Sequence, residues 1–183
     1  MHKNFLNINN TALLIIDIQE KFKSAMYNVE NVIESTSRMV KAANILNIPV
    51  IYTEQYPKGL GNTVELIQDN FENAKRFEKV GFSCCMDNEF CSYLETLKRK
   101  QILICGVEAH VCVCQTVLDL LDKGYTPHII VDAISSRALD NCNIAIEKMI
   151  SSGAVISTVE IALFELIKGA DHPNFREIQK LII

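Results

Sequence analysis

Short apolar, β-branched runs alternate with amphipathic helical stretches along the whole chain, and this alternation constrains the fold more than any other feature. Residues 11–17 are an unbroken apolar run closed by Asp17, the pattern of a strand buried on both faces. Residues 50–53, 101–105, 128–132 and 154–158 read as further strands, with a less regular one around residues 76–82. Between them, Val29, Val32, Ile33, Met39, Val40 and Ala43 recur at helical spacing over residues 28–47, and Pro49 cannot extend that helix. Residues 55–61 read as a loop, with a short helix at 63–69. Asp87 reads as the N-cap of a helix burying Phe90, Leu94 and Leu97. Helices over 110–123 and 141–152 stop at Gly124 and Gly153, where a left-handed residue ends the turn. A terminal helix covers 161–168. Beyond Pro173, residues Phe175, Ile178, Leu181, Ile182 and Ile183 are too apolar for water and are expected to pack on the domain or on a neighbouring subunit. Strands joined by helical crossovers predict a three-layer α/β/α fold around a six-stranded, mostly parallel sheet. At 183 residues, with 49% apolar, the chain reads as a single domain, 1–183.

A net charge of −4 argues against nucleic acid or an anionic membrane as a partner, because both call for a basic face. No apolar run is long enough to span a bilayer, and the first ten residues are polar where an export signal is apolar. A cytoplasmic protein with a small-molecule substrate is therefore expected. Its seven cysteines (Cys84, Cys85, Cys91, Cys105, Cys112, Cys114, Cys142) are an odd set without CxxC and are expected to be free thiols.

In open parallel sheets, ligands gather at the carboxyl ends of the strands where the strand order reverses. That directs attention to Asp17, the loop from Thr53 to Gly61, and the turn from Gly106 to Cys112. A carboxylate at Asp17, between Ile16 and Ile18, must be paired or have its pKa raised; it is either a loop-fixing cap or a catalytic group. Cys112 opens a helix after the fourth strand, where the helix amino end lowers a thiol's pKa and backbone amides suit an oxyanion. The alternative for Cys112 is a small core residue at a tight junction, and Cys114, about 200° around the helix, is read as core. Glu78 and Lys79 are adjacent and so face opposite ways on a strand. Lys79 then points either into a cleft or to solvent. The four histidines and the cysteines offer no metal-ligand spacing, and GxSxG, GxGxxG and Walker A patterns are absent. No metal or other cofactor is expected.

Four stretches together resemble the isochorismatase-like cysteine hydrolases, a family that includes nicotinamidases. They are Leu14-Ile15-Ile16-Asp17-Ile18-Gln19 with Phe22; Lys79 before Gly81-Phe82-Ser83; Gly106-Val107-Glu108-Ala109-His110-Val111-Cys112-Val113; and Val131-Asp132-Ala133-Ile134-Ser135-Ser136-Arg137. The resemblance covers nearly the whole chain and implies an Asp17–Lys79–Cys112 triad. It also implies a cis peptide at Val107–Glu108, an oxyanion hole made by the Glu108 and Cys112 amides, and a homo-oligomer. Gln19, Phe22 and Gln55 are expected to wall the pocket. Nicotinamidases carry Asp-x-His after the second strand, where this chain has Thr53-Glu54-Gln55, which argues against a metal and against that activity. The expected reaction is hydrolysis of a small amide through a thioester. The alternatives are a catalytically silent oligomeric scaffold and a thiol-based redox sensor.

Overall fold

The computed structural model describes residue 2 and residues 4–183; Met1 and Lys3, part of the polar start, lie outside the described residues. Six strands form one sheet: β1 (Thr11–Ile16), β2 (Val50–Gln55), β3 (Lys75–Lys79), β4 (Gln101–Val107), β5 (Thr126–Ser135) and β6 (Val155–Ser157). Their order is β3-β2-β1-β4-β5-β6. Every neighbouring pair runs parallel, so the sheet is wholly rather than mostly parallel. The order steps outward from β1 in both directions, which puts the switch point between β1 and β4.

All six residues of β1 are fully buried, as its unbroken apolar run requires. Leu13 and Ile15 face α1 (Val29–Ile45), α7 (Val159–Ile167) and α8 (Phe175–Gln179). Ala12, Leu14 and Ile16 face the opposite layer of α4 (Asn88–Thr96), α5 (Cys114–Asp122) and α6 (Leu139–Ser151). Each such leucine or isoleucine contributes about 1.5–3 kcal/mol of burial, so the central strand anchors both cores at once.

Several element ends differ from the sequence reading. β3 stops at Lys79 because the carbonyls of Gly81 and Phe82 turn back toward its ammonium group. Within the stretch read as loop, Pro57 starts a one-turn helix, α2 (Pro57–Leu60), its ring fixing the φ that a first helical residue needs. The short helix α3 is Glu65–Gln68. β5 runs on to Ser135 beyond an irregularity opposite β4, where Gly106 pairs with Ile134 and Val107 with Ser135. The helix read over 110–123 is two pieces, a π-helical turn at Ala109–Val113 and then α5. Thr158, read as strand, instead caps α7 by accepting the Ile161 amide. The apolar tail packs at home: Ile178 is fully buried in the α1 core, Phe175, Leu181 and Ile182 lie against it, and Ile183 alone is 94% exposed.

Candidate active site

Asp17 leaves β1 in the left-handed region, with φ of 53°, a conformation aspartate tolerates better than most residues. Its amide donates to the Thr53 carbonyl (3.2 Å), and its side chain is completely buried. One carboxylate oxygen, Oδ2, lies 2.6 Å from the Lys79 Nζ. The other, Oδ1, accepts the Thr53 hydroxyl at 2.7 Å. The Cys112 thiol is close enough to this carboxylate for the two to be electrostatically coupled. Burial raises the Asp17 pKa above the ordinary carboxylate value, and Lys79, Thr53 and Cys112 offset part of that rise.

Lys79 is the last residue of β3, directly across from Gln55 on β2. Glu78 is exposed and Lys79 buried, as strand alternation requires. The Lys79 ammonium donates to Gln55 Oε1 (2.7 Å), the Phe82 carbonyl (3.0 Å) and the Gly81 carbonyl (3.3 Å). Burial opposes its charge, but Asp17, assisted by Cys84 and Cys112, holds its pKa above the usual ammonium value.

Cys112 sits in the π-helical turn at 7% exposure. The expectation that a helix amino end would lower its pKa is overturned, because burial and the neighbouring Asp17 carboxylate push the thiol up to about 12. The resting sulfur is therefore a protonated thiol beside the Asp17 carboxylate. Gly106 brings β4 this close to β1: a Cβ there would lie 2.3 Å from the Ile16 carbonyl oxygen, and its φ of +143° suits only glycine. The Val107–Glu108 peptide is cis. The Glu108 carboxylate accepts from the Arg137 amide (3.2 Å) and Nε (2.9 Å), which joins the turn before Cys112 to the end of β5. His110 Nδ1 lies 2.9 Å from the Ser136 hydroxyl beside it.

The expected pocket walls divide. Gln55 touches the site, its Oε1 on Lys79 and its Nε2 donating to the Val80 carbonyl at 2.6 Å. Gln19 is fully buried, and its side chain is spent on backbone: Nε2 donates to the Gln55 and Gly61 carbonyls, and Oε1 accepts the Gln55 amide. It ties the loop after β1 to the end of β2 instead of facing a ligand. Phe22 packs against the α1 core. Three groups that the residue pattern did not single out belong to the site: Thr53, Cys84 and Thr116. Thr53 was findable, since it pairs with Ile16 near the end of β2 and so shares the switch-point edge with Asp17. Cys84 and Thr116 meet only in three dimensions, through the Cys84 amide donating to the Thr116 hydroxyl (3.0 Å). Next to them the Ser83 hydroxyl donates to Asp119 on α5 at 2.6 Å.

Within the last residues of β2, at the position where the resemblance to nicotinamidases would put a metal ligand, Glu54 is turned inward. One of its oxygens accepts the Thr63 amide and hydroxyl, and the other is gripped by Arg76. Both oxygens are committed and no histidine stands near in the sequence, so these residues do not fit a metal of that kind.

An all-parallel sheet that gathers the buried Asp17, Lys79 and Cys112 side chains at its switch point defines this chain as a doubly wound α/β protein. The family model described as "Isochorismatase domain" matches residues 11–161. The chain belongs to the isochorismatase family, and its relatives support an isochorismatase-family hydrolase. It is 44% identical over 179 residues to the secreted isochorismatase effector Isc1 of Phytophthora sojae (strain P6497), a match spanning 95% of this chain and 85% of the relative. It is 40% identical over 177 residues to isochorismatase domain-containing protein 2 of Danio rerio, spanning 97% and 89%. Among solved structures, the MAR1 ribonuclease of Caenorhabditis elegans superposes with a TM-score of 0.93 at 43% identity, covering 97% of this chain and 91% of that one. No helix among the described residues is long and apolar enough to cross a membrane.

Proposed function

We propose that this protein is a cysteine hydrolase acting on a small amide, with Cys112 as nucleophile, Asp17 as general base and acid, and Lys79 holding the charge between them. The single observation that carries the reading is the buried 2.6 Å Asp17–Lys79 pair with the Cys112 thiol coupled to the same carboxylate. Asp17 takes the thiol proton as sulfur attacks the carbonyl carbon, and the backbone amides of Glu108 and Cys112 receive the oxyanion. The C–N bond then breaks, Asp17 returns the proton to the leaving amine, and a thioester remains on Cys112. Water, deprotonated by Asp17, cleaves that thioester and regenerates the thiol. Lys79 keeps Asp17 ionised enough to act despite its burial. No step uses a metal or another cofactor.

The test is a panel of small amides with wild type and Cys112→Ala, alongside mass spectrometry for an acyl adduct on Cys112. Turnover lost with the thiol, and an adduct on that cysteine, are expected. Undiminished turnover by Cys112→Ala would falsify the scheme. RNA is the second substrate class to test, because the nematode neighbour is described as a ribonuclease. A chain of net charge −4 repels a polyanion at long range, so the amide reading is favoured. Seven free thiols suit a reducing, cytoplasmic setting. A homo-oligomer is part of the proposal, supported by large apolar side chains left exposed, among them Val80, Met86 and Ile144. Sedimentation velocity tests it.

A further inference from the structure

We infer that Thr53 is a positioning residue for the base: its hydroxyl, donating to Oδ1 of Asp17, fixes the carboxylate plane with Oδ2 turned to Lys79. This rests on the proposed role of Asp17. Thr53 lies in β2 level with Ile16, so its carbonyl accepts from the Asp17 amide while its hydroxyl donates to the Asp17 carboxylate. One residue thus clamps Asp17 at both its backbone and its side chain.

The direction of the chain of bonds follows from proton counting. A hydroxyl carries a single proton, and an ionised carboxylate can only accept. The Thr53 proton therefore goes to Asp17, which leaves the hydroxyl oxygen free to accept. The Cys84 thiol lies 3.9 Å from that oxygen on its other side. Burial pushes that thiol up to about 12, so it stays protonated and remains a donor. The buried relay runs Cys84 to Thr53 to Asp17 and cannot reverse while Asp17 is ionised. A carboxylate's terminal torsion is otherwise broad, so a side chain held only by a flexible lysine would sample several orientations toward the sulfur. The titratable groups facing Asp17 among the described residues are Lys79 from β3, Cys84 from the segment after it, and Cys112 from the turn before α5.

The experiment follows alkylation of Cys112 by iodoacetamide across the acidic pH range, reading fragment ions that separate Cys112 from Cys105 and Cys114. Thr53→Val removes the hydroxyl at nearly constant shape, and Thr53→Ala gives the same reading should the valine not fold. Either change is expected to move the acidic limb upward by about 1–2 pH units, the effect of one hydrogen bond to an ionised group. At the wild-type midpoint the rate drops about 5- to 50-fold, and Thr53→Ser restores the wild-type limb. A limb left in place by Thr53→Val or Thr53→Ala overturns the inference, as does a serine variant that behaves like valine. Asp17→Asn keeping the wild-type rate and profile overturns the base reading itself, whatever Thr53 does.

Discussion

Lys79 and Asp17 meet at 2.6 Å with 3% and 0% of their side chains open to solvent. A pair this buried costs desolvation on both sides, so its members tolerate joint removal better than separation. Asp17→Asn or Lys79→Met alone is expected to destabilise the protein by about 3 kcal/mol, because each leaves a lone buried charge. The double variant is expected to recover much of that loss. Urea unfolding of the four proteins gives the coupling, and all three variants lose amide turnover. A double variant as unstable as the sum of the singles contradicts this account.

His128 is fully buried on β5, and neither ring nitrogen has a partner among the described residues. Burial lowers its pKa from 6.5 to about 4, so the folded protein holds it neutral. Above the unfolded value it adds no pH dependence. As pH falls from about 6.5 toward 4, the unfolded chain takes up a proton that the folded chain refuses, and stability drops by up to about 1.4 kcal/mol per pH unit. His128→Leu is expected to flatten that slope relative to wild type in unfolding measured at neutral and mildly acidic pH. Equal slopes refute the prediction.

The Ser83–Asp119 bond fastens the segment that supplies two carbonyls to Lys79 onto the helix following Cys112. Asp119→Ala is expected to cost about 1 kcal/mol. Amide hydrogen exchange at residues 81–86 should speed up while β1 stays protected. Uniform loosening of both regions would show that the bond has no such local role.

Two glycines with positive φ separate crowding from backbone preference. Gly106→Ala drives a methyl group into the Ile16 carbonyl and is expected to cost more than about 3 kcal/mol. At Gly124, φ is +74° with open space around it, so Gly124→Ala is expected to cost only about 1–2 kcal/mol. Thermal melts rank the two, and a reversed order would rule out close approach as the reason for glycine at 106.

Much of this architecture is legible from local pattern because a doubly wound sheet is written as alternating short apolar runs and amphipathic helices. The run ending in Asp17 shows both that β1 is central and that a charge sits at its edge. The Glu78–Lys79 alternation shows that one of the two must turn inward. What pattern reading misses comes from contacts between segments far apart in the chain. Gln19 looks like a pocket wall until its amide is seen spanning the Gln55 and Gly61 carbonyls. The Cys112 thiol looks activated by its place at a helix start, but burial, and after it the Asp17 carboxylate at the end of β1, outweighs that effect. Cys84 is one of seven similar thiols until the fold sets it beside Thr53.

The acid, the ammonium and the sulfur stand at positions 17, 79 and 112, on parts of the sheet added at different stages of synthesis. A nascent chain halted before β4 and the following turn have left the ribosome carries two of the three groups and lacks Cys112. On the proposed mechanism, amide turnover therefore reports that the central strands have docked in register, and a truncated or half-folded copy turns nothing over.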